Sequence, residues 1–280
     1  MTKPMIVIQT DFTYKEGAVA AMKGVMKSVD ASLDIIDLTH EIPQFDVYSA
    51  SFRLHQVIPF WPSGTIFVSV VDPGVGTYRK ACIALTLSNH YIITPDNQTL
   101  SHVAQHIGIK SVRELDPKHR FISKYTSSVF HGRDIFGYCA ALLASGKLTY
   151  EDLGIEYLDF QHFDIPNAII KQNTFKGIIE IQDQNFGNCW TNIPLELIDP
   201  KYLIEGSLYL VEVHHLNKLV FSQSIPFYRT FGKVTKGQAV LYGNELGCIA
   251  LGLNQANLIK QFDLGFGIEW IITLIGEDHE

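Results

Sequence analysis

The first half of the chain alternates short apolar runs with segments of helical periodicity. The run MIVIQT (residues 5–10) is typical of a strand covered on both faces, and LDIIDL and TIFVSVV repeat this pattern. Apolar side chains recur at helical spacing in residues 17–29 and 47–57, which predicts two helices between these strands. CIALTL, YIIT and a helical segment at 134–143 continue the alternation. We therefore predict an α/β domain with a mostly parallel sheet.

The second half is patterned differently. Residues 157–173 mix charged, aromatic and proline positions without a clear period, as a linker does. Short strand-like runs separated by turns follow, among them FKGIIEIQ, SLYLVEVHHLN, KLVFSQS and IEWIITLI. The pattern predicts an α/β domain over 1–160, a linker over 161–174, and a smaller all-β, barrel-like domain over 175–280.

Composition narrows the possible partners. The net charge of −7 disfavours nucleic acid and anionic membranes as the main partner. We see no apolar run near the ~20 residues of a membrane helix and no signal-peptide pattern. The four cysteines are scattered without a CxxC pair, so we expect free thiols, no metal site and a cytoplasmic protein.

Two acids follow predicted strands. Asp11 ends the first strand, and Asp72 ends the third and enters the loop VVDPGVGTYR, which also carries Arg79. Because ligands of open α/β sheets bind at the carboxyl ends of strands, both acids are candidate ligand contacts. Two plainer interpretations stay open: a turn or helix-capping acid for Asp11, and a surface ion pair for Asp72 with Arg79. The chain lacks the GxGxxG of an ordinary dinucleotide fold.

Two further clusters carry candidate chemistry. His131 opens an apolar helix in SSVFHGRDIF, where the helix dipole favours a neutral imidazole that could accept a proton. In IEIQDQNFGNCWTNI, amides lie beside Phe186 and Trp190, a combination suited to hydrogen-bonding and stacking a purine. A structural histidine and ordinary hairpin-turn chemistry remain the alternatives.

The order of these motifs is more specific than any one of them. TDF, DLTHEIPQFDV, VVDPGVGTYR, TPDN, FHGRDIF, the D-x-x-F-G-N-x-x-T-N of the second half and NELGCIALGLNQAN follow one another along nearly the whole chain. Together they resemble the S-adenosyl-L-methionine (SAM) hydroxide adenosyltransferases, relatives of the fluorinase and chlorinase. The resemblance implies an α/β domain followed by a smaller β domain, with SAM as substrate and no cofactor.

The resemblance also implies roles for individual residues. Water attacks the ribose 5′ carbon, adenosine and methionine are the products, and Asp72, Arg79 and His131 activate the water. The family assembles as homotrimers with active sites between subunits. The implied substrate contacts are Asp11 to the ribose hydroxyls, Phe45 near the sugar, Asp183 to the methionine ammonium, Asn188 to the adenine edge, and Asn244, Glu245 and Asn254 in loops that close over the ligand. Phe186 and Trp190 add the aromatic surface.

Two departures from the family pattern and three alternative functions accompany the resemblance. Thr13 and Tyr14 stand where many relatives have a glycine and a small polar residue, and Glu245 replaces a serine. Halogenating relatives carry a tyrosine at the position of Asp72, so the carboxylate favours hydrolysis over halogenation. A SAM or adenosine sensor without turnover, and a methyltransferase, are the other classes. The methyltransferase interpretation is disfavoured because this chain lacks a glycine-rich loop after the first strand.

Overall fold

The computed structural model describes residues 3–276 and divides the chain into two compact units. The N-terminal unit ends at Asp164 and the C-terminal unit begins at Ile165. The N-terminal unit contains β1 (Ile6–Thr10), α1 (Ala18–Val29), β2 (Ile35–Thr39), α2 (Val47–Val57), β3 (Ile66–Val70), β4 (Ala81–Thr86), β5 (Tyr91–Pro95), α3 (Ser101–His106), β6 (Ile109–Leu115), α4 (Tyr138–Ala144) and β7 (Gly154–Tyr157). A π-helical segment, Gly132–Gly137, leads directly into α4.

The sheet of the N-terminal unit is mixed, with the strand order β2-β1-β3-β5-β4-β6-β7. β2, β1, β3 and β5 run parallel to one another, whereas β4, β6 and β7 pair antiparallel with their neighbours. The prediction of a mostly parallel sheet is therefore wrong for β4, β6 and β7. The reason lies in chain length: only residues 87–90 separate β4 from β5, and a parallel crossover needs a dozen or more residues.

The central strands of this sheet are buried on both faces, as their continuous apolar runs predict. In β1, Ile6 and Ile8 pack in a core that includes Met22 and Met26 of α1. Val7 points to the opposite core, which includes Leu54 of α2. Each of these side chains is at most 1% exposed. Helices cover both faces, so the carboxyl ends of the parallel strands are left to form loops.

The C-terminal unit is a curled, all-antiparallel sheet with the strand order β12-β11-β15-β9-β10-β14-β13 and β8 paired to β9. Its elements are β8 (Ile169–Lys171), β9 (Thr174–Asp183), β10 (Asn188–Pro194), β11 (Leu208–His215), β12 (Lys218–Pro226), β13 (Ala239–Gly243), β14 (Cys248–Leu253), α5 (Leu258–Phe262) and β15 (Trp270–Gly276). A bridge between Phe227 and Leu241 joins the two edges of the sheet. β8 lies inside the segment predicted as a linker.

Among residues 3–276, none of the helices has the length and apolar character that a membrane span requires.

Candidate active site

Two acids leave the same edge of the N-terminal sheet. β1 and β3 are adjacent and parallel, with Thr10 opposite Val70, so the loops that start with Asp11 and Val71 begin side by side. These loops border a cavity of about 640 Å³. Its wall includes four of the predicted site residues: Asp11, Phe45, Asp72 and His131.

Asp72, Arg79 and His131 form one hydrogen-bonded network. The Arg79 Nε atom donates to Asp72 Oδ1 at 2.8 Å, and Nη2 donates to Asp72 Oδ2. The same Nη2 donates to His131 Nδ1 at 2.9 Å. The side chains of Asp72 and Arg79 are only 6% and 8% exposed, so this is a buried, bidentate ion pair and not a solvated surface pair.

His131 is held as a neutral imidazole. Burial lowers its pKa below the usual value, and the positive charge of Arg79 lowers it further. Because Nδ1 accepts the Arg79 N–H, the ring proton must lie on Nε2. The expectation that His131 could accept a proton therefore fails for Nδ1 in this arrangement. Nε2–H can instead donate a hydrogen bond.

One carboxylate oxygen of Asp11 is bonded to the segment between β2 and α2. Its Oδ2 atom accepts the backbone N–H of Phe45 at 2.9 Å. Burial raises the pKa of Asp11 and the charge of Asp72 adds to this, while the Phe45 N–H acts in the opposite direction. Phe45 has a φ of 66°, in the left-handed region, and a side chain that is 59% exposed over the cavity wall. Oδ1 of Asp11 is the atom better placed to meet a ligand.

The loop after Asp11 explains one departure from the family pattern. Thr13 adopts a φ of 56°, a conformation that a glycine takes without cost. Its N–H donates to the carbonyl of His40 at 2.8 Å. The neighbouring Tyr14 donates its hydroxyl to Asp37 at 2.7 Å and packs edge-on against the His40 ring. These contacts hold Thr13 in a left-handed conformation that is unusual for a threonine.

The second group of predicted residues lines a cavity of about 800 Å³ in the C-terminal unit. All seven lie in its wall: Asp183, Phe186, Asn188, Trp190, Asn244, Glu245 and Asn254. They come from the β9–β10 hairpin, the β13–β14 turn and the segment after β14. The hairpin turns at Gly187, whose φ of 75° suits glycine. Across it, Asn188 Nδ2 donates to Asp183 Oδ2 at 3.2 Å.

Two of these amide side chains also form hydrogen bonds with backbone groups of the protein. Asn244 Oδ1 accepts the N–H groups of Leu246 at 3.0 Å and Cys248 at 2.9 Å, which closes the β13–β14 turn. Asn254 Nδ2 donates to the Val234 carbonyl at 2.7 Å. Asn188 is 6% exposed, and Phe186 is 71% exposed. The hairpin therefore presents a fixed amide and an accessible aromatic ring.

Other wall residues were not predicted. In the N-terminal cavity these include Lys15, Glu16, Glu41 and Phe130, all of them inside or beside the motifs discussed above. In the C-terminal cavity Tyr242 contributes a phenol whose pKa burial raises to about 12. The sequence offers no specific signal for Tyr242, because β13 (AVLYG) is a continuous apolar run without alternation. Among residues 3–276, no cluster of three or more His, Cys, Asp or Glu side chains could hold a metal ion.

The chain matches two family models, the SAM hydroxide adenosyltransferase N-terminal domain over residues 6–154 and the C-terminal domain over residues 177–271. It is 32% identical to an (R)-S-adenosyl-L-methionine hydrolase from Methanocaldococcus jannaschii, over 76% of this chain and 74% of that one. A protein of the same name from Salinispora tropica is 30% identical over 90% of each chain.

A crystal structure of a conserved protein from Thermotoga maritima has the same fold. It superposes with a TM-score of 0.86 at 31% sequence identity, covering 97% of this chain and 100% of the other. The family models together span more than half of the chain, and they confirm the resemblance that the motifs indicated. The chain belongs to the SAM hydroxide adenosyltransferase family.

Proposed function

We propose that this protein is an enzyme that hydrolyses SAM to adenosine and L-methionine by attack of water on the ribose 5′ carbon. The buried network of Asp72, Arg79 and His131 at the wall of the N-terminal cavity carries this proposal. The hydrolase names of relatives at 30–32% identity support it. We also propose the (R)-sulfonium epimer as substrate, because those names specify it.

The network suits activation of water. Arg79 occupies one lone pair on each oxygen of Asp72, and a remaining lone pair can accept a hydrogen bond from water. His131 Nε2–H can donate to the same water and fix its orientation. The water oxygen forms the bond to C5′ as the C5′–S bond breaks, and the electron pair of that bond leaves on sulfur as the neutral thioether of methionine. The released proton passes to Asp72 and then to solvent.

The charge of the cavity favours a cation over a halide. Asp11, Glu16, Glu41 and Asp72 line it, with Lys15 as the basic residue in the same wall. A negative potential attracts the sulfonium and repels chloride or fluoride. Sulfur in a sulfonium needs no protonation to leave, so positioning and desolvation of the water are the main requirements. This reasoning favours hydrolysis over halogenation.

The roles of the binding residues are part of the proposal. Asp11 would accept the ribose hydroxyls through Oδ1, with Phe45 beside the sugar. In the C-terminal unit, Asn188 would meet the adenine edge. Phe186 and Trp190 would supply stacking surface, Asp183 would meet the methionine ammonium, and Asn244, Glu245 and Asn254 would lie near the methionine end. The exposed Phe186 ring and the buried Asn188 amide support the nucleoside assignment.

Assembly and location are further proposals. We propose a homotrimer whose active sites lie between subunits, on the strength of family membership, and light scattering of the purified protein would measure its mass. We propose a cytoplasmic location because all four cysteines are free thiols, as is typical of a reducing compartment.

Product analysis tests the reaction. The protein would be incubated with each sulfonium epimer of SAM, with and without chloride, and the products separated by chromatography. We expect adenosine and methionine in equal amounts. 5′-Chloroadenosine would identify a halogenase, and S-adenosylhomocysteine in the presence of an acceptor would identify a methyltransferase. Unchanged SAM would identify a binding protein without turnover.

A further inference from the structure

The turn after β5 reaches both ends of the loop that carries Asp72 and Arg79. Asn97 Nδ2 donates to the carbonyl of Val71 at 2.9 Å, immediately before Asp72. The backbone N–H of Asp96 donates to the carbonyl of Lys80 at 2.9 Å, immediately after Arg79. Two consecutive residues of the TPDN motif thus hold the two ends of residues 72–79. We call these two hydrogen bonds the loop clasp.

We propose that Asn97 is a positioning residue, which sets where the Asp72 carboxylate lies relative to the substrate. Its amide has a defined orientation, because Thr99 Oγ1 donates to Asn97 Oδ1 at 2.7 Å. The NH₂ group must therefore face Val71.

The turn that carries the clasp is itself rigidly held. Asp96 is 5% exposed, and its Oδ1 accepts the Gln161 N–H at 2.8 Å. Its Oδ2 accepts the Tyr157 hydroxyl at 3.0 Å. β5 also pairs directly with β3, the strand that leads to Asp72. The clasp therefore connects the loop to a buried part of the sheet.

The loop's internal bonds are local. Val75 N–H donates to the Asp72 carbonyl and Thr77 N–H to the Gly74 carbonyl, which shapes two successive turns. The bond from Arg79 to His131 joins the side chains of the network. Val71 is buried against Ile42 and Ala50, and the Asn97 bond adds a directional contact to its carbonyl, which belongs to the peptide group that leads into Asp72. A shift of about 1 Å in a reacting group can cost about 10²-fold in rate.

The functional test rests on the proposed SAM hydrolysis and uses the full-length protein. We expect Asn97→Ala to lower kcat about 10- to 100-fold, with KM within about twofold of wild type, because the clasp positions the water-activating group and contributes little to ground-state binding. Thr99→Val, which frees the Asn97 amide to rotate, should lower kcat in the same direction. Thr99→Ser keeps the hydroxyl that bonds to Asn97 and should retain wild-type turnover.

Tyr150→Phe is the matched control. Like Asn97→Ala, it removes two side-chain hydrogen bonds, here those of the Tyr150 hydroxyl to the Ser111 carbonyl at 3.0 Å and with Ser111 Oγ at 2.9 Å, in the same unit but on the antiparallel side of the sheet. Its kcat should equal that of wild type. Equal losses of kcat in Asn97→Ala and Tyr150→Phe would reduce Asn97 to a general stability contact and overturn the proposal.

A second readout does not depend on the reaction. Amide hydrogen exchange followed by mass spectrometry should show faster exchange of residues 71–80 in Asn97→Ala and Thr99→Val, and wild-type exchange there in Tyr150→Phe. Unchanged exchange in both clasp variants would contradict the clasp. A wild-type protein that leaves SAM intact would refute the proposed function, and the exchange data would still decide the role of Asn97.

Discussion

Arg79→Lys separates the shape of the guanidinium from its charge. Within the network Arg79 makes three hydrogen bonds, two to the oxygens of Asp72 and one to His131, and its Nη1 makes a longer one of 3.4 Å to the Lys80 carbonyl. A lysine ammonium keeps the charge but cannot span a carboxylate and an imidazole as the planar fork does. We expect it to keep one of the three bonds.

The magnitude follows from the two bonds lost. Hydrogen bonds to charged groups contribute about 1.5–3 kcal/mol each, so the loss is about 3 kcal/mol or more. If the network acts in the transition state, this loss lowers kcat/KM about 10²-fold, at about 1.4 kcal/mol per factor of ten.

Initial rates of adenosine formation over a range of SAM concentrations would measure the effect. Arg113→Lys is the control, because Arg113 also bonds a carbonyl and a carboxylate, those of Gly154 and Glu156, along the β6–β7 edge. Its turnover should equal that of wild type. The reasoning would be refuted if Arg79→Lys kept kcat/KM within about threefold of wild type while Arg79→Ala was inactive, because charge alone would then suffice.

Three further predictions concern the other two network residues, two buried histidines and a glycine of the Asp72 loop. Asp72→Ala and His131→Ala should each lower kcat by about 10² or more in the same assay, and near-wild-type turnover in both would remove their assigned roles. Burial lowers the pKa of His55 to about 4 and of His102 to about 3 in the folded protein. In the unfolded chain both histidines have a pKa of about 6.5, so below that pH the unfolded chain binds protons that the folded protein does not. Stability is therefore full above that pH and falls as the pH drops toward 4, by about 2 kcal/mol per histidine at pH 5, and equal urea midpoints at pH 7 and pH 5 would contradict this. Gly76→Ala should lower both the melting temperature and kcat, because Gly76 has a φ of 79° and its added Cβ would lie 3.3 Å from the Ser128 carbonyl oxygen; a variant with unchanged melting temperature and kcat would oppose that reading.

The parts of the fold that followed from sequence are those with strong periodicity. The buried run at β1 and the stripe of α1 are set by burial alone, and burial is visible as hydrophobic pattern. The direction of β4 relative to β5 was readable from the few residues between CIALTL and YIIT, but the apolar pattern alone, on which the prediction rested, carries no strand direction. The short helix α3 buries His102 completely, although a histidine in the sequence suggests a polar, exposed position.

The candidate site divides in the same way. Strand ends indicated Asp11 and Asp72, because the edge of a parallel sheet is a general binding position. The contact between Arg79 and His131 joins residues 52 positions apart, and only tertiary packing creates it. The backbone bond from Phe45 to Asp11, and the clasp from Asn97 to Val71, likewise have no local signal. Motif order suggested a site, while the hydrogen bonds determine which atoms of it remain available.

The position of bond cleavage is the central claim, and isotope labelling tests it most directly. SAM would be hydrolysed by the protein in H₂¹⁸O and the products analysed by mass spectrometry. Attack of water on C5′ predicts one ¹⁸O in adenosine, located on the 5′ oxygen, and none in methionine. Adenosine without ¹⁸O, or label found in a methionine-derived product, would contradict attack at C5′ and with it the role assigned to Asp72.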